Sequence, residues 1–301
     1  MGLDINGIKF LLHSKSKGVS FKSTLMIGRQ GIHLPLEKLL TLLTDFQPPL
    51  PEELLERVSA ANSRYAEPLL HCLGAEKIDS IDFSNYESAS IQHDLNDVIP
   101  KQYHACYDTV LDGGSLEHIF DIKQSLKNCM DMIKVGGHYL GISPANNFMG
   151  HGFYQFTPEL FFSVFSAANG FDVDQIILFE SREKNTWYEV VKPETIKSRV
   201  QLQNSEKTYL LIIAKKVAQK EAFLTPPQQS DYQAVWSGRG SAAPKLSSSS
   251  GDKHCKLYRL KDRAYRLACK MTGKTYFEPL YYRKLTPIIH SKSPSQKHGS
   301  L

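Results

Sequence analysis

Between residues 24 and 217 short apolar runs alternate with stretches of helical spacing, and that alternation restricts the fold more than any single motif. Residues 24–28 are apolar and bounded by Ser23 and Gly28, which reads as a short buried strand. Leu36, Leu39, Leu40 and Leu43 follow at the spacing of a helix face. The run "QPPLPEELLERV" stops that helix and starts another at a proline. Ser63 is expected to cap a third helix through "YAEPLLHCL", with Gly74 at its end. "KIDSIDFS", "ASIQHDLN" and "YDTVLDGG" then read as the second, third and fourth strands. "IKQSLKNCMDMI" is an amphipathic helix, "GGHYLGISP" a fifth strand, and "TPELFFSVFSAANG" a helix with Thr157 as cap and Gly170 as its end. "FDVDQIILFE" and "TYLLIIAKKV" close the series with no clear helix between them, the pattern of an antiparallel pair at one edge. The expected fold class is α/β: a Rossmann-like, seven-stranded, mostly parallel sheet with an antiparallel terminal strand and helices on both faces.

Charge divides the chain. Residues 251–301 carry 12 Lys/Arg against 3 Asp/Glu, a surplus of nine positive charges, while the whole chain stands at +5. The first 250 residues are therefore mildly acidic. Residues 219–252 are rich in Pro, Gly and Ser and read as a flexible linker. Beyond them "KLYRLKDRAYRLACKM" places Leu257, Leu260, Ala264, Leu267 and Met271 on one face of a basic helix. The domain reading is thus 1–218, with a helical insertion at about 35–62, then a linker over 219–252 and a basic tail over 253–301. The tail is expected to contact an anionic membrane peripherally; a solvated end without a partner is the other reading. No nucleic-acid partner is expected, because Tyr258, Tyr265 and Tyr276 sit in no recognised nucleic-acid motif. Five cysteines without a C-x-x-C fit free thiols in a reducing compartment. With no apolar run of spanning length and no signal-like start, the expectation is a cytoplasmic protein, peripheral to the inner membrane face through its tail.

In an open α/β sheet, ligands bind beyond the carboxyl ends of the strands. Gly28, Arg29, Gln30 and Gly31 follow the first strand, and a glycine there permits close backbone approach or simply a tight turn. Asp82 follows the second strand, where a carboxylate can accept from both hydroxyls of a ribose. Asp94 and Leu95 follow the third, where a carboxylate can accept from an adenine amino group. Three such groups after three successive strands point to an adenosine-type ligand. After the fourth strand, "LDGGSLEH" clusters Asp112, Gly113, Gly114, Glu117 and His118; after the fifth, His151 lies between Gly150 and Gly152 and precedes Tyr154. His118, His151 and Asp112 are the expected catalytic bases, and Glu117 and Tyr154 the expected substrate contacts. No metal is expected, since the histidines and acids do not fall at zinc spacings.

These residues carry a likeness. The stretches Gly28–Arg29–Gln30, "DFSNYE" from Asp82, "HDLN" from His93, "DGGSLEH" from Asp112 and "HGFYQFTPE" from His151 resemble the class I S-adenosylmethionine-dependent methyltransferases, and in particular a bacterial methyltransferase-like group, over roughly residues 20–217. The resemblance implies an S-adenosylmethionine pocket held by Gly28, Arg29, Asp82, Asp94, Leu95, Asp112 and Gly113, and a small-molecule or sugar-type acceptor. It departs in one place: the family's first loop is closer to G-x-G-x-G, and its usual acid at the end of the first strand is absent here. A methyltransferase fold that binds without turnover is the alternative; an NAD-dependent oxidoreductase is disfavoured by the lack of G-x-G-x-x-G.

Overall fold

The structure is a computed structural model that describes residues 2–182, 186–196, 199–237 and 265–285. Its elements run β1 (Gly2–Leu3), α1 (Ile5–Ser16), β2 (Ser23–Ile27), β3 (Gly31–Ile32), α2 (Leu36–Thr44), α3 (Glu52–Ala61), α4 (Glu67–Cys72), β4 (Lys77–Asp82) and β5 (Ile91–Gln92). They continue β6 (Tyr107–Asp112), α5 (Ile122–Met132), β7 (Ile133–Pro144), α6 (Pro158–Val164), β8 (Phe171–Glu180), β9 (Trp187–Val190), α7 (Pro193–Ile196), β10 (Thr208–Lys216), α8 (Ser230–Trp236) and β11 (Tyr282–Leu285). A short 3-10 helix, Leu116–His118, follows β6.

The main sheet has nine strands in the order β11-β9-β8-β10-β7-β6-β2-β4-β5. β5, β4, β2, β6 and β7 pair in parallel; β10 pairs antiparallel with β7 and β8, and β9 and β11 extend the sheet antiparallel. Two expectations are corrected by this pairing. The sheet is mixed rather than mostly parallel and has nine strands rather than seven. The late pair is also not an edge: β10 is inserted between β7 and β8, and the edge is formed by β9 and β11. The extra strands escaped the sequence reading because each has four residues, and β11 lies inside the stretch read as a basic tail.

Side chains alternate across the sheet, as strand geometry requires. Leu25 and Ile27 of β2 point into one core with Ile81, Val110, Tyr139 and Phe165, on the side of α5 and α6. Met26 points the other way, into a core with Phe10, Leu43, Val58 and Leu70 from α1, α2, α3 and α4. The helices of the 35–62 insertion are therefore part of a core. No residue of 35–62 lines either of the two cavities described below.

Several boundaries differ locally from expectation. α4 starts at Glu67, and the Ser63 hydroxyl accepts instead from the Tyr65 backbone in a turn. That turn is held by the bridge between Gly31 and Tyr65, which delays the helix. Thr157 precedes α6 without a side-chain cap, and the helix breaks at Phe165 before a second short turn ends at Gly170 (φ 80°). Part of the expected linker is packed: Ala222 is buried, the Phe223 amide donates to Asn169, and Ser230 donates to Glu159 from the start of α8. Part of the expected tail is packed too, through β11, the Phe277–Tyr188 stack and the Thr275 hydroxyl donating to Glu180. Leu257, Leu260 and Ala264 lie outside the described residues. Residues 265–272 are helical, with Leu267 and Met271 exposed and Cys269 buried. Among the described residues no helix is long and apolar enough to cross a membrane. Cys72, Cys106, Cys129 and Cys269 are free thiols.

Candidate active site

Two cavities open at the carboxyl ends of the central strands. The first, of about 450 Å³, is lined by Ile27 and Gly28 at the end of β2, Ile81, Asp82 and Phe83 at the end of β4, His93 to Asn96 after β5, and Ser115, His118 and Ile119 after β6. Its walls are apolar, through Ile27, Ile81, Phe83, Leu95 and Ile119. Its carboxylates are Asp82 and Asp94, its other titratable side chains are His93 and His118, and among the described residues no Lys or Arg lines it.

Local hydrogen bonds fix these carboxylates. Asp82 Oδ1 accepts from the Ser84 amide at 2.9 Å, and Asp94 Oδ1 accepts from the Asn96 amide at 2.9 Å and its side chain at 2.7 Å. Both are Asx turns, the conformation short acidic side chains favour at strand ends. Gly28 sits at φ 69°, where a side chain would be strained, and its amide donates to the Ile81 carbonyl at 2.7 Å. The β2 turn is thereby pulled against the end of β4.

Two residues of this cradle were not singled out in the sequence. Gln30 is fully buried, and its side-chain amide donates to the Ile27 carbonyl at 2.7 Å. The Ser115 hydroxyl donates to the same carbonyl at 2.5 Å. A polar side chain inside a glycine turn was the available signal: buried in place of a glycine's neighbour, Gln30 supplies the hydrogen bonds that hold the loop.

The second cavity, of about 230 Å³, is lined by Gly2, Asp4, Gly113, Gly114, Glu117, His118, Ile142, His151, Phe179 and Tyr209. His118 lines both cavities. Glu117 is 1% exposed. Burial, followed by the nearby Asp112 charge, pushes its carboxyl up to about 8. His151 Nε2 lies 3.5 Å from Glu117 Oε1, and the His118 and His151 rings are 5.1 Å apart between centroids. Burial and then the neighbouring His151 lower the His118 imidazole below its usual range, which favours the neutral form. The flanking glycines explain the approach. Gly150 and Gly152 both have positive φ, and a Cβ on Gly152 would meet the Glu117 carbonyl at 2.6 Å. The Phe153 amide donates to that same carbonyl at 2.7 Å, so the loop after β7 is clamped onto the turn after β6.

Several expected site residues stand elsewhere. Asp112 is fully buried, accepts from the Ser115 amide (2.8 Å) and the Tyr139 hydroxyl (3.1 Å), and is pushed up to about 6 by burial. It organises the turn and lines neither cavity. Arg29 turns away: its Nε donates to Glu67 at 2.6 Å, its guanidinium to the Glu87 carbonyl, and it lies over the Tyr65 ring at 3.9 Å. Tyr154 donates to the Phe120 carbonyl at 2.6 Å and stacks on Phe156, outside the second cavity's lining. Gly113 lines the second cavity rather than the first. For Asp112, Arg29 and Tyr154 the position at or after a strand end predicted proximity, but the side chain found a partner within the protein. Gly28, Asp82, Asp94 and Leu95 do line the first cavity, and Glu117, His118 and His151 the second.

No family model matches the sequence, and no curated protein matches it. Among solved structures, the chain is similar to a candidate S-adenosylmethionine dependent methyltransferase from Listeria monocytogenes (14% identity, 70% of this chain and 99% of that one, TM-score 0.38). It is similar to the Burkholderia thailandensis 1,6-didemethyltoxoflavin-N1-methyltransferase solved with S-adenosylhomocysteine (12%, 71% and 78%, TM-score 0.36). A third is a candidate methyltransferase from Haloferax volcanii in complex with the Trm112 activator (12%, 70% and 90%, TM-score 0.39). At these scores the likeness carries no chemistry, and the functional reading stands on the cavities themselves.

Proposed function

We propose that the chain is an S-adenosylmethionine-dependent methyltransferase acting on a small-molecule or sugar-type acceptor. The observation that carries this reading is the composition of the first cavity: apolar walls, two carboxylates and, among the described residues, no Lys or Arg at the ends of β2, β4 and β5. A dinucleotide or nucleoside phosphate brings negative charge and would meet Asp82 and Asp94 with no Lys or Arg beside them among the described residues. An adenosyl sulfonium brings net positive charge and the hydrogen-bond donors these acids can accept.

The residues present fit that ligand. Asp82 would accept from the ribose hydroxyls and Asp94 from the adenine amino group, with Ile81, Leu95 and Ile119 against the base. Gly28 would let the backbone approach the amino-acid end, which the missing second and third glycines leave with fewer backbone contacts than a G-x-G-x-G loop gives. The sulfonium supplies an already activated methyl group, so this chain's contribution is positioning and exclusion of water. His118, on the wall of both cavities, marks where acceptor and methyl group meet, and its neutral imidazole can take a proton from an acceptor hydroxyl.

The test is transfer of label from methyl-labelled S-adenosylmethionine to pooled hydroxylated small molecules and sugars. Label in an acceptor supports the enzyme; cofactor binding with no label in any pool favours the binding-module reading. The reading also keeps peripheral contact of the basic tail with an anionic membrane, supported by Leu267 and Met271 standing exposed on a helical stretch beside Arg266 and Lys270. Cosedimentation of L267E/M271E with anionic vesicles checks this: undiminished binding removes that contact.

A further inference from the structure

The geometry points to a divalent transition-metal site formed by Glu117, His118 and His151 on the wall of the second cavity. One ligand atom from each lies within 4.8 Å of the others. The set is two imidazoles and one carboxylate, a mixed nitrogen and oxygen donor set that suits manganese, iron, cobalt, nickel or zinc better than calcium or magnesium. Metal–ligand bonds of about 2.1 Å would draw the three groups inward by roughly half an ångström or more, within the reach of side-chain rotation.

A second observation is independent of the spacing. Glu117 is 99% removed from solvent, yet among the described residues its Oε2 has no hydrogen-bond partner, although the residue lines the second cavity. A buried carboxylate oxygen without a donor is costly unless something completes it. Its neighbour Asp112 is also fully buried. Oε1 faces His151 at 3.5 Å, longer than a hydrogen bond. A cation between these groups would give the open Glu117 oxygen a partner and draw His118 and His151 to the same point.

The backbone is arranged to assemble this set. Glu117 and His118 come from the 3-10 turn after β6, and His151 arrives 33 residues later on the loop after β7. Gly152 brings that loop against the Glu117 carbonyl. The sequence spacing that argues against zinc concerns ligands on one element, whereas this set is closed across two strand ends. Three protein ligands leave coordination positions open toward the second cavity. Resting on the methyltransferase reading, those positions would take an oxygen of the acceptor, which narrows it to hydroxyl-bearing compounds able to chelate or coordinate a metal. In that state His118 and His151 serve as metal ligands in place of general bases.

Titrating the full-length, chelator-treated protein with Mn²⁺, Co²⁺ and Zn²⁺, and recording the Co²⁺ visible spectrum, tests the site. The expected result is one equivalent of at least one ion, with His151→Ala and Glu117→Gln each weakening it by about tenfold to hundredfold or more. His151 is half-exposed, so its variant should fold even where Glu117→Gln does not. Adenosylhomocysteine binding, measured in parallel, should persist in H151A, because His151 does not line the first cavity. No binding of any of the three ions, or binding unchanged in H151A, overturns the site. Metal binding in a protein that fails to bind adenosylhomocysteine leaves the site standing and overturns the methyltransferase reading.

Discussion

The backbone amide of His93 donates to the carbonyl of Asp82 at 2.9 Å. This bond ties the exit of β5 to the exit of β4, one residue before Asp94 on one side and at Asp82 on the other. It is why two carboxylates distant by twelve positions in the chain share one apolar cavity. Neither acid alone distinguishes a ligand site from a surface turn; what the two share is one cavity with no Lys or Arg among its described lining residues.

Arg29 follows the first strand and reads in the sequence as a cofactor contact, but it pairs with Glu67 and lies over Tyr65. Arg29→Ala should therefore lower stability by about 1–2 kcal/mol, from a partly buried ion pair and a cation–π contact. Its affinity for adenosylhomocysteine should stay within about twofold of the parent, as expected of an uncoupled site. Urea denaturation and calorimetric titration check the two halves. A large affinity loss with unchanged stability would return Arg29 to the cofactor site.

Gly113 is packed against Gln30: an added Cβ would lie 2.2 Å from Gln30 Oε1 and 2.6 Å from its Cδ. Gln30 can yield only by giving up its bond to the Ile27 carbonyl, which holds the β2 turn. Gly113→Ala should cost about 1–3 kcal/mol of stability through overpacking. The same change should weaken cofactor binding indirectly, since Ile27 and Gly28 wall the first cavity. Chemical denaturation showing no loss would remove this account of the double glycine.

His13 gives a pH dependence remote from the site. Its Nε2 bonds Gln175 Oε1 at 2.8 Å, its ring meets Trp187 edge-on, and Nδ1 is buried with no hydrogen-bond partner among the described residues. Burial first, and Lys17 as a lesser cause, lower its pKa below the usual 6.5, against the raising effect of Gln175 and Glu189. The unfolded chain then binds a proton more readily than the folded one. The stabilisation is therefore full above about pH 6.5 and is lost as pH falls through the folded-state value, with a slope of at most about 1.4 kcal/mol per pH unit from this residue. Stability curves between pH 5 and 7.5 for the parent and His13→Gln should differ in slope in that window. Parallel curves would exclude His13 as the origin.

The central strands and the two acids were legible because each rests on local signals: an apolar run, a glycine exit, an acid at the strand end. Gly28, Asp82, Asp94 and Leu95 line the first cavity for that reason. The expected site residues that pair within the protein share a cause. Asp112, Arg29 and Tyr154 each end a strand or follow one, but their partners (Tyr139, Glu67 and the Phe120 carbonyl) come from 27, 38 and 34 positions away. No local pattern encodes those contacts. The sheet edge was illegible for a related reason: β9 and β11 are four residues long and are set by pairing with each other, 92 residues apart at Val190 and Tyr282. The closing of Glu117, His118 and His151 into one cluster is likewise a property of the clamp between two loops.

The most direct test is calorimetric titration of the full chain with S-adenosylhomocysteine and, separately, with NAD⁺, for the parent and Asp82→Ala. The account predicts one S-adenosylhomocysteine site, no NAD⁺ binding, and an affinity loss of about tenfold to hundredfold in D82A from a lost charge-assisted hydrogen bond. Absence of S-adenosylhomocysteine binding in the folded parent, or NAD⁺ binding more tightly, would contradict it.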